Sequence, residues 1–255
     1  MWKLPVPPEE LRNWVGPFQD AELFLRSGRD TVALARSMCS LRPEDAVLDV
    51  GCGSGRVALA LTSYLSPVAK YLGFDVAPAP IHWCREHIEA QFPNFQFVHV
   101  DVLHADYNPK GTLRPEQTRF PCPSGSIDVV LASSVLTHLL ASAAERYVGE
   151  IARVLRPGGC CLISYLLMDD EARRAVTDGT TVFDFRYQVG PAFSFSVENP
   201  TEGVAYPAEY ALSVLHAAGL KVVEVRRGNW RKETSHAVQH DWVAARKAGV
   251  QSSPR

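Results

Sequence analysis

Short apolar runs alternate along this chain with longer segments whose apolar residues recur at three- and four-residue spacing. Residues 8–40 read as helical with a break near Gly28, after which Leu34, Met38 and Leu41 fall at i, i+4 and i+7 on one face. Pro43-Glu44-Asp45 punctuates the chain, and a regular order then begins. Residues 46–50, 70–74, 95–100, 127–132 and 160–165 have the length and composition of buried strands, and 56–65, 79–91 and 141–155 between them are helical. A Pro- and Gly-rich stretch, 105–125, interrupts the alternation. Strands alternating with helices imply parallel pairing, with helices on both faces of an α/β sheet.

Residues 169–206 have no sustained period; they mix Gly, Pro and Asn with aromatic residues. Helix and strand signals resume at 208–218, 221–226 and 236–245. No linker-like boundary intervenes, so 1–255 reads as one domain: a helical cap (1–42), a core (43–168), an insertion (169–206), and a C-terminal helix with the last strands (207–246).

Composition narrows the functional classes. With 46% hydrophobic and 21% charged residues in 255, the chain can bury a substantial core. A formal charge of −2 with no basic stripe gives little pull on phosphates, so no nucleic-acid partner is expected. The longest apolar runs, 129–132 and 160–167, are too short to cross a bilayer, and the N-terminus lacks the apolar core of a secretory signal. The six cysteines show no paired CxxC spacing. Cys52, Cys160 and Cys161 read as small buried hydrophobes of a reducing cytoplasm, not as a disulfide framework or zinc site.

The most informative segment is Val47-Leu-Asp-Val-Gly-Cys-Gly-Ser-Gly55, an apolar strand running into three alternate glycines before a helix. A ligand lying against the backbone at a strand end needs positions without a Cβ, and a helix N-terminus offers it unpaired N–H groups. Dinucleotide sites carry GxGxxG; here Gly51, Gly53 and Gly55 make GxGxG, and Arg56 stands where that pattern has glycine. Asp75 ends the second strand, where a carboxylate can accept two hydrogen bonds from a ribose diol. Asp101 ends the third, and Ser133 the fourth, on the rim where open α/β sheets bind ligands.

DVGCGSG with Asp49 resembles motif I of the class I S-adenosylmethionine-dependent methyltransferases of small-molecule type. The resemblance implies a Rossmann-like seven-stranded sheet and S-adenosylmethionine as cofactor. It implies that Asp49 orders the loop and reaches the methionine amino group, and that Gly51 and Gly53 pass beneath the cofactor, with Cys52 and Gly55 as further cofactor-binding residues. Asp75 with Val76 would hold the ribose, and Asp101 with the Val102 amide the adenine. Residues 127–138 resemble the fourth-strand motif, with Ser133 on the cofactor rim, and Arg153-Val-Leu-Arg-Pro-Gly-Gly159 resembles the turn before strand five. Gly228-Asn-Trp230 and 238–243 resemble the closing hairpin. The matches cover roughly residues 46–165 in order.

For chemistry, His138 just past strand four is the candidate base, since imidazole titrates near neutrality; the alternative is a histidine that holds the next helix start. His236 and His240 read as surface or structural residues of the last hairpin, and His99 and His104 flank the adenine side. Phe183, Phe185, Tyr187, Phe193, Phe195 and Tyr206 suit an aromatic wall for an organic acceptor, or simply pack the insertion onto the sheet. No Asn/Asp-Pro-Pro-Tyr/Phe follows strand four, no cysteine lies at its end, and Ser133-Ser134 replaces a carboxylate there. These absences argue against methylation of base amino groups or protein glutamine, against cytosine C5 chemistry, and against a magnesium-assisted site. The expectation is metal-independent methyl transfer to a small-molecule acceptor, with oxygen ahead of nitrogen and carbon. A dinucleotide oxidoreductase and a non-catalytic cofactor-binding subunit are the competing readings.

Overall fold

A computed structural model describes residues 5–13, 19–181, 183–232 and 240–249. The elements in chain order are α1 (Glu9–Arg12), α2 (Ala21–Cys39), β1 (Val47–Val50), α3 (Arg56–Leu61), β2 (Tyr71–Asp75), α4 (Pro78–Cys84), β3 (Phe95–His99), β4 (Ile127–Ala132), α5 (Ala141–Val154), β5 (Leu155–Tyr165), β6 (Leu167–Met168), α6 (Asp170–Thr177), β7 (Tyr187–Val189), β8 (Ala192–Ser194), β9 (Val204–Pro207), α7 (Ala208–Ala217), β10 (Leu220–Arg226) and β11 (Asp241–Lys247). Among the described residues no helix is long and apolar enough to cross a membrane.

Seven strands form one sheet in the order β10-β11-β5-β4-β1-β2-β3. β1 to β5 pair in parallel, and β11 lies antiparallel between β5 and β10. The α/β fold expected from the alternation is therefore present, and the direction of winding reverses between β1 and β4. That reversal opens a crevice beyond the carboxyl ends of these two strands.

The period of two sorts each buried strand between two cores. Val130 and Ala132 of β4, with Cys161 and Ile163 of β5, face α5 and α7. Val129 and Leu131, with Cys160 and Leu162, face α2, α3 and α4. β5 meets β4 with Leu155 opposite Ile127 and again with Cys160 opposite Val129, so 156–159 bulge out at the Pro-Gly-Gly turn.

Three expectations are corrected. Gly28 does not break the helix: α2 runs unbroken from an Asp20 cap, whose carboxylate accepts the Glu22 and Leu23 amides. A Cβ at Gly28 would collide with the Arg56 carbonyl, so this glycine lets α2 and α3 touch. Leu41 lies past the helix end, because Ser40 adopts the left-handed conformation, yet its side chain is buried beside Met38. Residues 169–206 are not irregular: with β6 they build α6 and a second sheet of order β6-β9-β8-β7. Strands of two to four residues are too short to show a period in sequence.

The second sheet is pinned to the first by a buried charge cluster. The Asp241 carboxylate, fully buried, accepts from Arg231 (2.7 and 3.0 Å), Trp230 Nε1 (2.8 Å) and the amides of Leu167 and Gly228 (2.9 Å each). Arg231 also donates to Asp169 and to the Leu167 carbonyl. The Asp241 carboxylate accepts five hydrogen bonds and Arg231 donates four, the dense pairing that a buried ion pair needs.

Candidate functional site

The crevice is a cavity of about 650 Å³. β1 delivers its floor. After Val50 the chain turns through Gly51 (φ +67°) and Gly53 (φ +51°), a left-handed backbone that side chains oppose. The amides of Gly51 and Cys52 donate to the Phe74 carbonyl, and the Gly53 amide donates to Asp75 Oδ2 at 2.8 Å. The second Asp75 oxygen accepts the Ala77 amide, also at 2.8 Å. Burial pushes the Asp75 carboxyl up, while these amides pull it back. A carboxylate has about four acceptor sites, so the group retains capacity to accept from a ligand hydroxyl.

Asp49 lines the same cavity, only 1% exposed, and accepts the Tyr71 hydroxyl at 2.8 Å. Burial drives its pKa up to about 7, against the Tyr71 hydrogen bond and the Arg56 charge. A nearly dry carboxylate at a cavity wall is stabilised by a cationic ligand group. Arg56 reaches across from α3 and donates to Ser133 Oγ at 2.8 Å, with Ser27 and Thr31 of α2 at 3.3 and 3.5 Å.

β4 supplies the opposite rim. Ser134 sits at φ +59°, and its amide donates to Ser164 Oγ at 2.7 Å. His138 lines the cavity with Nδ1 3.1 Å from the Thr201 carbonyl. A carbonyl only accepts, so Nδ1 carries the proton toward Thr201, and Nε2 is the basic nitrogen of the neutral ring. Burial holds the ring below the usual histidine range, hence neutral at neutral pH.

Of the residues singled out in sequence, Asp49, Gly51, Cys52, Gly53, Asp75, Val76, Ser133 and His138 line this one cavity. Three do not. Gly55 caps α3 at φ +80°, and a Cβ there would lie 2.7 Å from Ile88 and 3.0 Å from Cys84. Asp101 is not among the lining residues; its carboxylate accepts from Asn108 Nδ2 (3.0 Å), Thr112 Oγ1 (2.7 Å) and the Thr112 amide (3.3 Å). Val102 is buried beneath the same loop, bridged to Leu113.

Sequence reasoning missed two residues here. Arg56 counted only against a dinucleotide pattern, yet it lines the cavity. His240, expected at the surface or in a structural role, lines the cavity too, with Nδ1 3.4 Å from Ser134 Oγ. Burial, helped by the neighbouring His138 and Arg56, lowers its pKa to about 4. His104 also lines the cavity, its Nδ1 accepting the Asp106 amide at 3.2 Å. His236 and the 238–239 end of the closing hairpin lie outside the described residues.

Of the six aromatic residues, Phe183 and Phe195 reach the cavity, stacked on each other with centroids 5.8 Å apart. Gly203 makes room for them, since a Cβ there would strike the Phe195 ring. Phe185 and Tyr206 are core residues, and Tyr187 is exposed. Phe193 packs against the Phe185–Trp230 cluster and under the Arg173 guanidinium.

The chain is similar to known proteins in sequence and in fold. A family model described as a methyltransferase domain matches residues 48–163. A probable S-adenosylmethionine-dependent methyltransferase of Mycolicibacterium smegmatis is 28% identical over 183 residues, covering 71% of this chain and 60% of that protein. A phthiotriol/phenolphthiotriol dimycocerosates methyltransferase of Mycobacterium leprae is 34% identical over 116 residues, 44% of this chain and 34% of that one. The chain thus spans between about a third and three-fifths of the length of these curated relatives. A Burkholderia thailandensis 1,6-didemethyltoxoflavin-N1-methyltransferase, solved with S-adenosylhomocysteine, shares the fold: TM-score 0.58 at 18% identity, over 97% of this chain and 93% of that one. Residues 48–163 thus resemble a methyltransferase domain, and the chain is similar to S-adenosylmethionine-dependent methyltransferases in sequence and in fold.

S-adenosylmethionine is the cofactor of that family, and the residues here fit it. The buried carboxylate of Asp49, the strand-end carboxylate of Asp75 and the Cβ-free turn at Gly51 and Gly53 line one cavity, a donor set compatible with an ammonium, a diol and a close-lying ligand.

Proposed function

We propose that this chain transfers the methyl group of S-adenosylmethionine to a hydroxyl oxygen of a small organic acceptor, of secondary-metabolite or sugar-like type, without a metal ion. The reading is carried by one observation: the Asp75–Gly53 notch and a His138 ring held through Nδ1 by the Thr201 carbonyl line a single cavity. When bound, the cofactor supplies a methyl group already made electrophilic by its sulfonium. The chain's own work is then positioning, exclusion of water and acceptance of one proton. Asp49, Asp75 and the glycines fix the donor against the floor. Phe183 and Phe195, presented by 169–206, form an apolar wall that excludes water from the acceptor. His138 Nε2 takes the hydroxyl proton, and the Thr201 carbonyl steadies the resulting imidazolium through Nδ1.

Transfer to an amine nitrogen is the second reading. Glu202 lines the cavity and its charge acts on His138, which suits a cationic acceptor. The test is incubation of the purified chain with methyl-labelled cofactor and a panel of phenols, sugars and small amines. S-adenosylhomocysteine release with a labelled ether as product is expected. A labelled amine would instead favour the second reading, and nicotinamide dinucleotide binding in place of S-adenosylhomocysteine would overturn both.

A further inference from the structure

Outside the cavity, Cys39, the last residue of α2, and Cys160 of β5 bring their sulfurs to 2.6 Å. Both are free thiols, 121 positions apart in sequence, and both are buried, at 2% and 1% exposure. The separation is far inside ordinary contact for two sulfur atoms and close to the disulfide bond length of about 2.05 Å. No other cysteine pair among the described residues is brought to such a distance by a sulfur–sulfur contact.

We propose that Cys39 and Cys160 are an oxidative modification site that closes to a disulfide with hydrogen peroxide as oxidant. The Cys160 thiolate attacks one peroxide oxygen, forming a sulfenic acid and releasing hydroxide, which takes up a proton to become water. The Cys39 sulfur then displaces water from that sulfenic sulfur and the S–S bond forms. In sum two thiols and one peroxide give one disulfide and two waters. The hydrogen bond between the sulfurs holds Cys160 below the usual thiol range, which favours it as the attacking group. Cys39 lies where α2 ends at the left-handed Ser40, so a small oxidant needs only local opening of a helix end. Its carbonyl accepts from Arg246 of β11 at 3.1 Å, which holds the helix end against the sheet.

The link would tie α2 to the sheet centre. α2 carries Ser27 and Thr31 against Arg56 at the cavity wall, so the cross-link fixes the roof of the site without touching it. The proposal does not depend on the methyl-transfer reading.

The test is hydrogen peroxide treatment of the full chain, followed by thiol counting under denaturing conditions and non-reducing peptide mapping. The titratable thiols should fall by two from six, with one cross-linked peptide pair containing Cys39 and Cys160. Cys160→Ala, or Cys160→Ser if it fails to fold, should keep all five remaining thiols, and Cys39→Ala or Cys39→Ser should give no cross-linked peptide pair. The oxidised wild type should melt about 5 °C or more higher, because the closed loop is long. Six surviving thiols, a bridge between other cysteines, Cys160 sulfinic acid without a bridge, or an unchanged or lower melting midpoint would each overturn the proposal.

Discussion

The Gly53 amide donates to the Asp75 carboxylate at 2.8 Å, so the glycine turn after β1 and the acid ending β2 are one device. The bond sets the turn, and the turn aims the carboxylate along the cavity rim. Asp75→Ala removes the anchor of the loop and, under the proposed function, a ligand for the ribose. The variant is expected to bind S-adenosylhomocysteine roughly tenfold or more weakly, as loss of a charged hydrogen bond requires. Titration calorimetry checks this, and unchanged affinity would remove Asp75 from the binding site.

His138→Ala separates binding from chemistry. Cofactor affinity should stay near the wild-type value, while turnover falls by about 10²-fold or more if the imidazole takes the proton. Wild-type turnover should also fall on acidification, because the protonated ring has no lone pair to offer. A normal rate in the variant would reduce His138 to a structural partner of Thr201.

His240 gives a pH signature in stability. Its folded pKa of about 4 lies below the usual histidine value, so the unfolded chain binds a proton first as pH falls. Stability is therefore lost on acidification from about 6.5 towards 4, and above that window the term vanishes. His240→Asn should flatten the fall of the melting midpoint across this window. An identical slope in the variant would contradict the burial of the ring.

Asp241→Asn should expose the cost of the buried cluster. Arg231, 3% exposed, would keep its charge and lose its main counter-ion. A destabilisation of about 3–5 kcal/mol is expected in denaturant unfolding. A change within about 0.5 kcal/mol would mean that the cluster does not hold the second sheet in place.

Much of the frame was legible because it rests on local rules. Buried strands at 46–50 and 127–132, and a glycine turn between strand and helix, need no tertiary information to be read. Asp49, Asp75 and Ser133 follow, since strand ends on a parallel sheet share one edge. What was hidden depends on distant partners. Asp101 sits at its strand end as expected, but Asn108 and Thr112 from the following loop claim its carboxylate. His240 seemed one of two histidines on a strand, whereas β11 begins only at Asp241 and His240 precedes it at the cavity. Gly28 looked like a helix breaker because its neighbour, the Arg56 carbonyl, is 28 residues away.

The most direct measurement is a structure of the chain with S-adenosylhomocysteine. The ribose diol should lie on the Asp75 carboxylate, the ammonium beside Asp49, and the sulfur on the side of the cavity that His138 lines. A ligand bound elsewhere, or the glycine turn filled by side chains, would contradict the account.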